Sequence, residues 1–234
     1  MTEQTMSRRD RLRAQTSAEI KAIALKLMAG GGPDAISLRA IAREMGMTAG
    51  AIYSYFPTRD DLITTLIGDV YTSAVDAAES ARDAIPSNDP GGRILAWAQS
   101  MREWALANPE GFRLIYGDPV AGYQPPNDGP SKAAGLRACT GLTDLVAAAW
   151  PTAGLLQRDD RTYVWDDFDP DLVAHVRELF PDLPPVALAL TLRVWGRMHG
   201  LMALEIYGHL RPLIHDPATV YRDEMRDLVA SLGL

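Results

Sequence analysis

The chain has 234 residues, of which 47% are hydrophobic and 23% charged, and its formal net charge is −7. No apolar run reaches the ~18 residues of a membrane-spanning helix, the N-terminal segment lacks the apolar core of a secretory signal, and the single cysteine, Cys139, excludes an intrachain disulfide and a cysteine-based zinc cluster. We therefore expect a cytoplasmic protein with no membrane partner. Its length suits either one large domain or a small domain joined to a larger one.

The charge is distributed unevenly along the chain. Residues 1–59 contain nine Lys and Arg residues and five Asp and Glu residues, a balance of +4, so the remaining 175 residues carry −11. A basic end on an acidic body suits a protein that docks one end on a polyanion, because the polyanion repels the acidic body.

Apolar residues recur at helical spacing, and no sustained two-residue alternation indicates a strand. The pattern predicts a first helix from about Arg8 to Met28, which the Gly30–Pro33 segment ends. Ser37 is the predicted N-cap of a short second helix, Gly46 gives a sharp turn, and Thr48 caps a third helix that ends near Phe56. A long fourth helix is predicted from Thr58 to about Ile85.

The rest of the chain is also predicted to be helical, so the predicted fold class is all-α. A linker is expected at 86–92, a Pro/Gly-rich loop at 117–130 and an irregular acidic segment at 151–169. The predicted helices of this part cover roughly 93–107, 109–116, 131–149, 170–180, 184–210 and 217–232.

The segment SLRAIAREMGMTAGAIYSYFPTRDDL, residues 37–62, places two short helices around a glycine turn and packs them on a third, which is a helix-turn-helix arrangement. The second helix of such a pair enters the major groove with its N-terminal end toward the bases. Here that end is the 48–51 segment, whose small side chains allow close approach. Thr48 and the Ala51 methyl are predicted to touch a thymine methyl or a base edge.

Tyr53 and Tyr55 lie off the Ile52/Phe56 face, beside basic residues. This position suits contacts between their hydroxyls and DNA phosphates; covering the core of the small domain is the alternative role. Arg39, at the start of the second helix, is long enough to reach a guanine or a phosphate.

The segment resembles the DNA-binding domain of the TetR/AcrR family of bacterial transcriptional regulators. The resemblance begins at AIALKLMAGGG, at the end of the first predicted helix, and continues without a gap through SLRAIAREMGMTAGAIYSYFPTRDDLI. It implies an N-terminal three-helix DNA-binding domain, residues 1–60, and a larger helical-bundle domain for ligand binding and dimerisation, residues 61–234. The DNA-binding residues it implies are Ser37, Arg39, Thr48, Ala49, Gly50, Ala51, Tyr53, Tyr55, Thr58 and Arg59.

Two positions depart from the family pattern. Thr58 and Arg59 match the usual Ser/Asn-Lys pair, which caps the fourth helix and grips phosphate, but Arg and Lys are not equivalent contacts. Ala49 replaces a larger polar residue. We therefore expect sparse direct base readout and a larger share of shape readout.

The C-terminal part resembles a subset of the family through NPEGFRLIYGDPVAGYQPP and a Trp-x-x-x-His-Gly motif at residues 195–200. In such regulators the last two long helices pair with their counterparts in a four-helix dimer interface. The apolar circumference of the 184–210 helix and the four-residue spacing of Gly196 and Gly200 support this interpretation. The predicted dimerisation residues are Trp195, His199, Gly200 and Leu204.

Regulators of this architecture enclose a small apolar or aromatic effector in the body. Trp97, Met101 and Trp104 share one helix face, and Phe112 and Tyr116 follow at i, i+4; a core role is the alternative for all five. The other candidate lining residues are Trp150, Trp165, Met198 and Met202. The 117–130 loop is a candidate gate to the cavity.

Two other function classes fit these residues less well. An enzyme would use His199 or the acidic cluster of Asp166, Asp167, Asp169 and Asp171, but a packing histidine and a solvated, capping-rich loop explain these residues. No catalytic triad, phosphate-loop or metal pattern is present, so we expect no enzyme activity, no cofactor and no metal. A helical protein-binding adaptor leaves the 37–62 pattern unexplained.

The sequence therefore predicts a homodimeric repressor that binds a palindromic double-stranded DNA operator and is released by the effector. Most regulators of this family repress transcription, and activation of transcription is the alternative.

Overall fold

A computed structural model describes residues 7–126, 128–157 and 162–234, and within these ranges it contains ten α-helices and no strand. The predicted all-α class is confirmed. The helices are α1 (Arg8–Gly31), α2 (Leu38–Glu44), α3 (Ala49–Tyr53), α4 (Arg59–Asp83), α5 (Pro90–Ala107), α6 (Pro109–Tyr116), α7 (Pro130–Ala153), α8 (Pro170–Leu179), α9 (Pro185–Ile206) and α10 (Pro217–Ser231). None of the described helices is both long and apolar enough to span a bilayer.

The chain divides into two compact units. The first lies within Met1–Val70 and Pro109–Lys132, and the second within Tyr71–Asn108 and Ala133–Leu234. These units differ from the division predicted at residue 60, because α4 contributes to both units and α6 belongs to the first. As a boundary between DNA binding and ligand binding, residue 60 stays a prediction.

The first unit is organised around apolar residues spaced one helical turn apart. α1 buries Ile20, Ala24 and Met28 on one face, and α2 contacts both α1 and α3. α6 also contacts α1, and its Phe112 is fully buried. Each fully buried aliphatic or aromatic side chain of this kind contributes about 1.5–3 kcal/mol of hydrophobic stabilisation. The fully buried residues also include Ile36, Ile41, Ile52, Leu62 and Ile63.

The second unit packs α5 against both α9 and α10. Two polar contacts accompany this packing. The Arg102 guanidinium donates from Nε and Nη2 to the Glu205 carboxylate at 2.8 and 2.6 Å, and the Tyr221 hydroxyl donates to the carbonyl of Ala98 at 3.0 Å. Burial raises the pKa of Tyr221, so this phenol remains a neutral donor.

Several predicted helix ends were wrong. α1 continues to Gly31, since the chain first leaves the helix at Gly32, whose φ of +73° is the left-handed region. α3 ends at Tyr53 rather than near Phe56, because the amides of Ser54 and Tyr55 donate to the carbonyls three residues back, Ala51 and Ile52, in a turn tighter than an α-helix.

The predicted linker at 86–92 was also wrong in part. Pro90 begins α5, since the Asp89 side chain accepts from the Gly92 amide at 2.7 Å and proline is favourable in a first turn. α7 passes through Pro151 to Ala153, where buried Ala149 and Ala153 hold one further turn by tertiary packing. α9 ends at Ile206 rather than near Leu210, and Gly208 follows with φ +80°.

Candidate nucleic-acid interface

The helix-turn-helix is built by two side-chain caps and one glycine. The Ser37 hydroxyl accepts from the Ala40 amide at 3.4 Å and starts α2, and the Thr48 hydroxyl accepts from the Ala51 amide at 3.2 Å and starts α3. Gly46 between the two helices has φ +65°, which a residue with a side chain adopts only at a cost. The capping roles predicted for Ser37 and Thr48 are confirmed.

Burial fixes which side of α3 faces outward. Ile52 and Phe56 are buried in the first unit and hold the segment in place. Thr48 and Gly50 are exposed, Ala49 and Ala51 are half-buried, and Tyr53 is 43% exposed. The outward face of α3 is therefore small and nearly flat at its start, with one large phenol at its end.

Tyr55 follows α3 and is half-buried because a residue of α1 covers its ring. The Arg13 guanidinium carbon lies 4.8 Å from the centre of the Tyr55 ring, and the Arg13 Nη2 donates to the Ser54 carbonyl at 2.9 Å. Arg13 was not among the predicted site residues. The sequence counts Arg13 only among the basic residues of 1–59, and no local signal relates it to Ser54, 41 positions away.

Thr58 and Arg59 have separate environments. Thr58 and Asp61 form a reciprocal cap: the Thr58 amide donates to the Asp61 carboxylate at 3.0 Å, and the Asp61 amide donates to the Thr58 hydroxyl at 3.0 Å. The Arg59 guanidinium donates to the carbonyls of Ile36, Pro33 and Ala121 at 2.9, 3.3 and 3.3 Å. The predicted cap at Thr58 is confirmed, and phosphate contact by Arg59 stays a prediction.

The basic residues of α1 and α2 fall into two groups. Lys21 pairs with Asp69 and Lys26 pairs with Glu44, so their charges are locally balanced. The second group is exposed and forms no ion pair with a residue in the described ranges; it consists of Arg8, Arg9, Arg11, Arg13, Arg39 and Arg43. Exposed arginines near α2 and α3 give this surface the charge that suits a polyanion.

Comparison with known proteins agrees with this geometry. The family model described as bacterial regulatory proteins, tetR family, matches residues 20–66, and the model described as tetracyclin repressor-like, C-terminal domain, matches residues 94–228. The chain belongs to the TetR family. Similar proteins include the HTH-type transcriptional regulators Rv1816 of Mycobacterium tuberculosis and Mb1846 of Mycobacterium bovis, each 33% identical over 230 residues that cover 97% of this chain and 95% of the relative.

Solved structures share this fold. The crystal structure of the regulatory protein SCO4313 matches with a TM-score of 0.73 and 32% identity, covering 96% of this chain and all of that chain. The TetR-family regulator PfmR of Thermus thermophilus shares the fold, with a TM-score of 0.57 at 15% identity, over 90% of this chain and 96% of that chain. This TetR-family chain is thus a DNA-binding transcriptional regulator and not an enzyme.

The predicted effector residues of this regulator occupy several environments. Trp97 and Trp104 on α5 are buried, and Met198 and Met202 on α9 are buried as well, on two helices that contact each other. Trp97 covers Gly141 of α7, and the Trp104 indole donates to the Ser73 hydroxyl at 3.0 Å. Met101 is half-buried on α5.

The other predicted effector residues lie on other elements of the chain. Phe112 and Tyr116 lie on α6 in the first unit, with ring centres 5.1 Å apart. Trp150 is half-buried beside Gly154. Trp165 borders an open groove of about 810 Å³ in the second unit, with Phe168, Val173 and Arg177 among its other lining residues.

The dimerisation residues predicted for this TetR-family chain lie along one face of α9. Trp195 is 40% exposed and Leu204 41% exposed, and Gly200 is exposed between them. The His199 ring lies 5.5 Å from the Trp195 ring, and burial lowers the pKa of His199. The described part of the chain contains no group of three or more His, Cys, Asp or Glu side chains suited to a metal ion.

The acidic cluster at 166–171 has a structural role. Asp169 caps α8 by accepting from the amides of Asp171 and Leu172 at 3.0 and 3.2 Å, and Asp167 accepts from the Val164 amide at 2.9 Å. The interpretation of this segment as a capping-rich loop is confirmed. Residues 158–161 of the predicted acidic segment lie outside the described ranges.

Proposed function

We propose that this TetR-family regulator is a cytoplasmic homodimeric repressor that leaves a palindromic operator when a small apolar or aromatic effector binds. The observation that carries the DNA-binding part is the outward face of α3, small at its start and flanked by exposed arginines without ion partners in the described ranges. Phosphate contacts supply affinity and register, and base-edge contacts supply specificity.

The proposed roles on DNA follow from exposure. Thr48 and the Ala51 methyl touch base edges, while Ala49 and Gly50 let the backbone approach. The hydroxyls of Tyr53 and Tyr55 bind phosphate, as does Arg39, which alternatively reaches a guanine. Ser37 and Thr58 act chiefly as caps that place these helices, and Arg59 binds phosphate only if it releases carbonyl contacts. With so few long side chains on α3, shape readout carries much of the specificity.

Homodimerisation is supported by the exposed apolar face of α9. Leu192, Trp195 and Leu204 are each about two-fifths exposed, and a Cβ added at Gly196 or Gly200 would meet no atom within 4 Å. An exposed apolar face with glycines at four-residue spacing suits close packing against a second copy, and a two-fold dimer matches a palindromic operator. The DNA-binding units of the dimer then lie about 34–36 Å apart, in successive major grooves.

The effector site is proposed around α5 and α9, where Trp97, Met101, Trp104, Met198 and Met202 lie on helices that contact each other. Effector contacts by Trp150, Trp165, Phe112 and Tyr116, and the gating role of the 117–130 loop, stay predictions from the sequence. The effector lowers operator affinity by its preference for the state that does not bind DNA, a coupling of roughly 1–3 kcal/mol.

A gel-shift titration tests the DNA function. The probe is the DNA upstream of the protein's own gene, and the titration is repeated at several salt concentrations because phosphate contacts make binding salt-dependent. Tyr53→Phe and Arg39→Gln should weaken binding, whereas the matched variant Arg211→Gln, at an exposed arginine of the second unit, should not. A wild-type protein that shifts no neighbouring intergenic DNA at any salt contradicts the proposal.

Sedimentation equilibrium tests the dimer. Leu204→Glu places a charge on the α9 face and should yield a monomer that retains its helical circular-dichroism spectrum. The control Leu213→Glu changes a more exposed leucine that lies beyond α9 and should leave the dimer intact. If both variants sediment as dimers, this face of α9 is not the interface.

A thermal-shift screen of apolar and aromatic metabolites tests the effector, because a ligand that binds the native state raises its melting temperature. A hit should also reduce the gel shift. A compound that stabilises the protein and leaves operator affinity unchanged is not the effector.

A further inference from the structure

The first two turns of α1 form an unusual basic projection. Residues 7–15 are all exposed, and α1 reaches the core only at Ile20, so these turns are not held by hydrophobic packing. Short helices without tertiary packing are marginal in water. The described contacts that tie this segment to the rest of the first unit are those of Arg13, to the Ser54 carbonyl and to the Tyr55 ring.

The charge of this projection is strongly positive. Arg8, Arg9, Arg11 and Arg13 stand against Asp10 alone, and the Asp10 carboxylate accepts from the Ser7 hydroxyl at 2.6 Å while its amide donates back to that hydroxyl. The acid therefore closes the start of the helix. In the described ranges the four arginines have no acidic partner at ion-pair distance.

A groove lies between this projection and Tyr55, which follows α3. It has a volume of about 510 Å³ and is lined by Arg8, Arg9, Leu12, Arg13, Thr16 and Tyr55. One wall is therefore basic and the other carries a phenol that the proposed function already assigns to DNA. A basic groove walled by a tyrosine suits the phosphodiester backbone, because arginine forks and tyrosine hydroxyls are both common phosphate donors.

We propose that this groove binds a backbone phosphate of the operator beside the bases read by α3, with Arg8 and Arg9 as its charged ligands. The inference rests on the proposed DNA-binding function and extends it to a segment outside the helix-turn-helix. Arg13 is a positioning residue: its planar guanidinium stacks on Tyr55 and holds the carbonyl of Ser54 just after α3, which fixes the phenol at the edge of the groove.

The experiment uses the full chain and a duplex of about three helical turns that the wild-type protein selects from a random pool. The double variant Arg8→Gln/Arg9→Gln removes the charges and keeps good helix formers. Each phosphate contact contributes about 0.9 to the slope of log K against log salt concentration, so a dimer that loses one contact per groove loses about 1.8. The ratio of wild-type to double-variant operator affinity should then fall about twelvefold between roughly 50 and 200 mM NaCl.

The matched control is Arg211→Gln/Arg222→Gln, which removes the same charge from exposed positions of the second unit. It should retain the wild-type slope. Ethylation interference on the same duplex locates the lost contact: one phosphate per half-site, at which ethylation blocks the wild type, should no longer matter for the double variant. An unchanged slope, or an unchanged interference pattern, overturns the proposal.

The positioning role of Arg13 has its own readout. Arg13→Lys keeps the charge but not the planar stack or the fork. It should lower affinity about two- to fivefold, the effect of one exposed cation–π contact, with the salt slope unchanged. In a Tyr55→Ala background Arg13→Lys should have no further effect, whereas an equal loss in both backgrounds overturns the positioning role. If the wild type selects no duplex, the proposed function itself fails, which is a distinct outcome.

Discussion

The packing of Trp97 on Gly141 gives a sharp test of how the second unit is built. A Cβ added at Gly141 would lie 2.8 Å from the Trp97 Cζ3 and closer still to its Cη2. The Trp97 side chain has little room to move, since it is 2% exposed and the Arg82 guanidinium lies 5.7 Å from its ring centre. Gly141→Ala should therefore overpack the contact between α5 and α7.

The expected magnitude combines two opposing effects. Alanine in place of a helical glycine contributes about 1 kcal/mol of stability, and overpacking a core costs about 1–3 kcal/mol. With two ring atoms too close, we expect the upper end of that range and a net loss of about 2 kcal/mol. For a chain of this size the melting temperature should fall by about 4–8 °C.

The same helix provides the control. A Cβ at Gly135 meets no atom within 4 Å, so Gly135→Ala should gain up to about 1 kcal/mol and raise the melting temperature by about 2–4 °C. All five tryptophans lie in the second unit, so tryptophan fluorescence during urea unfolding reports on that unit. Gly141→Ala in a Trp97→Phe background should be less harmful than in the wild type. Equal shifts for Gly135→Ala and Gly141→Ala would refute the reasoning.

Three further predictions concern charge and backbone. Glu205→Ala leaves the buried Arg102 charge without its carboxylate and should lower the free energy of unfolding in urea by about 3 kcal/mol, the lower end for a buried pair. Arg102→Met/Glu205→Leu should recover most of that loss. A double variant as unstable as the single one would contradict this prediction. Burial lowers the pKa of His199 from its ordinary 6.5, so the folded state disfavours the imidazolium. The neutral His199 imidazole therefore contributes fully to stability above about pH 6.5, and this contribution is lost as the pH falls below that value towards the depressed folded pKa. His199→Gln should flatten the loss of stability between about pH 7.5 and 5.5. An unchanged pH profile would disprove this prediction. Gly46→Ala should lower the free energy of unfolding by about 1–2 kcal/mol because of the φ of +65°, since no atom lies within 4 Å of the added Cβ. Gly50→Ala is equally open and should preserve stability but weaken DNA binding. Equal stability of the two variants would show that the turn tolerates a side chain.

The sequence by itself determined the fold class, the order of the helices and the helix-turn-helix. These features depend on local physics, namely helical periodicity, Ser37 and Thr48 as caps, and Gly46 as a turn. The outward position of Tyr53 also followed from spacing, since Ile52 and Phe56 occupy the inner face.

Only the tertiary structure decided the contacts between distant segments. Arg13 meets Tyr55, and Arg59 meets three backbone carbonyls, because segments far apart in the sequence converge in the fold, whereas periodicity indicates only which residues are exposed. The extension of α7 through Pro151 depended on packing that overrode a local helix breaker. The membership of α6 in the first unit likewise reflects its packing against α1, which no pattern within its eight residues encodes.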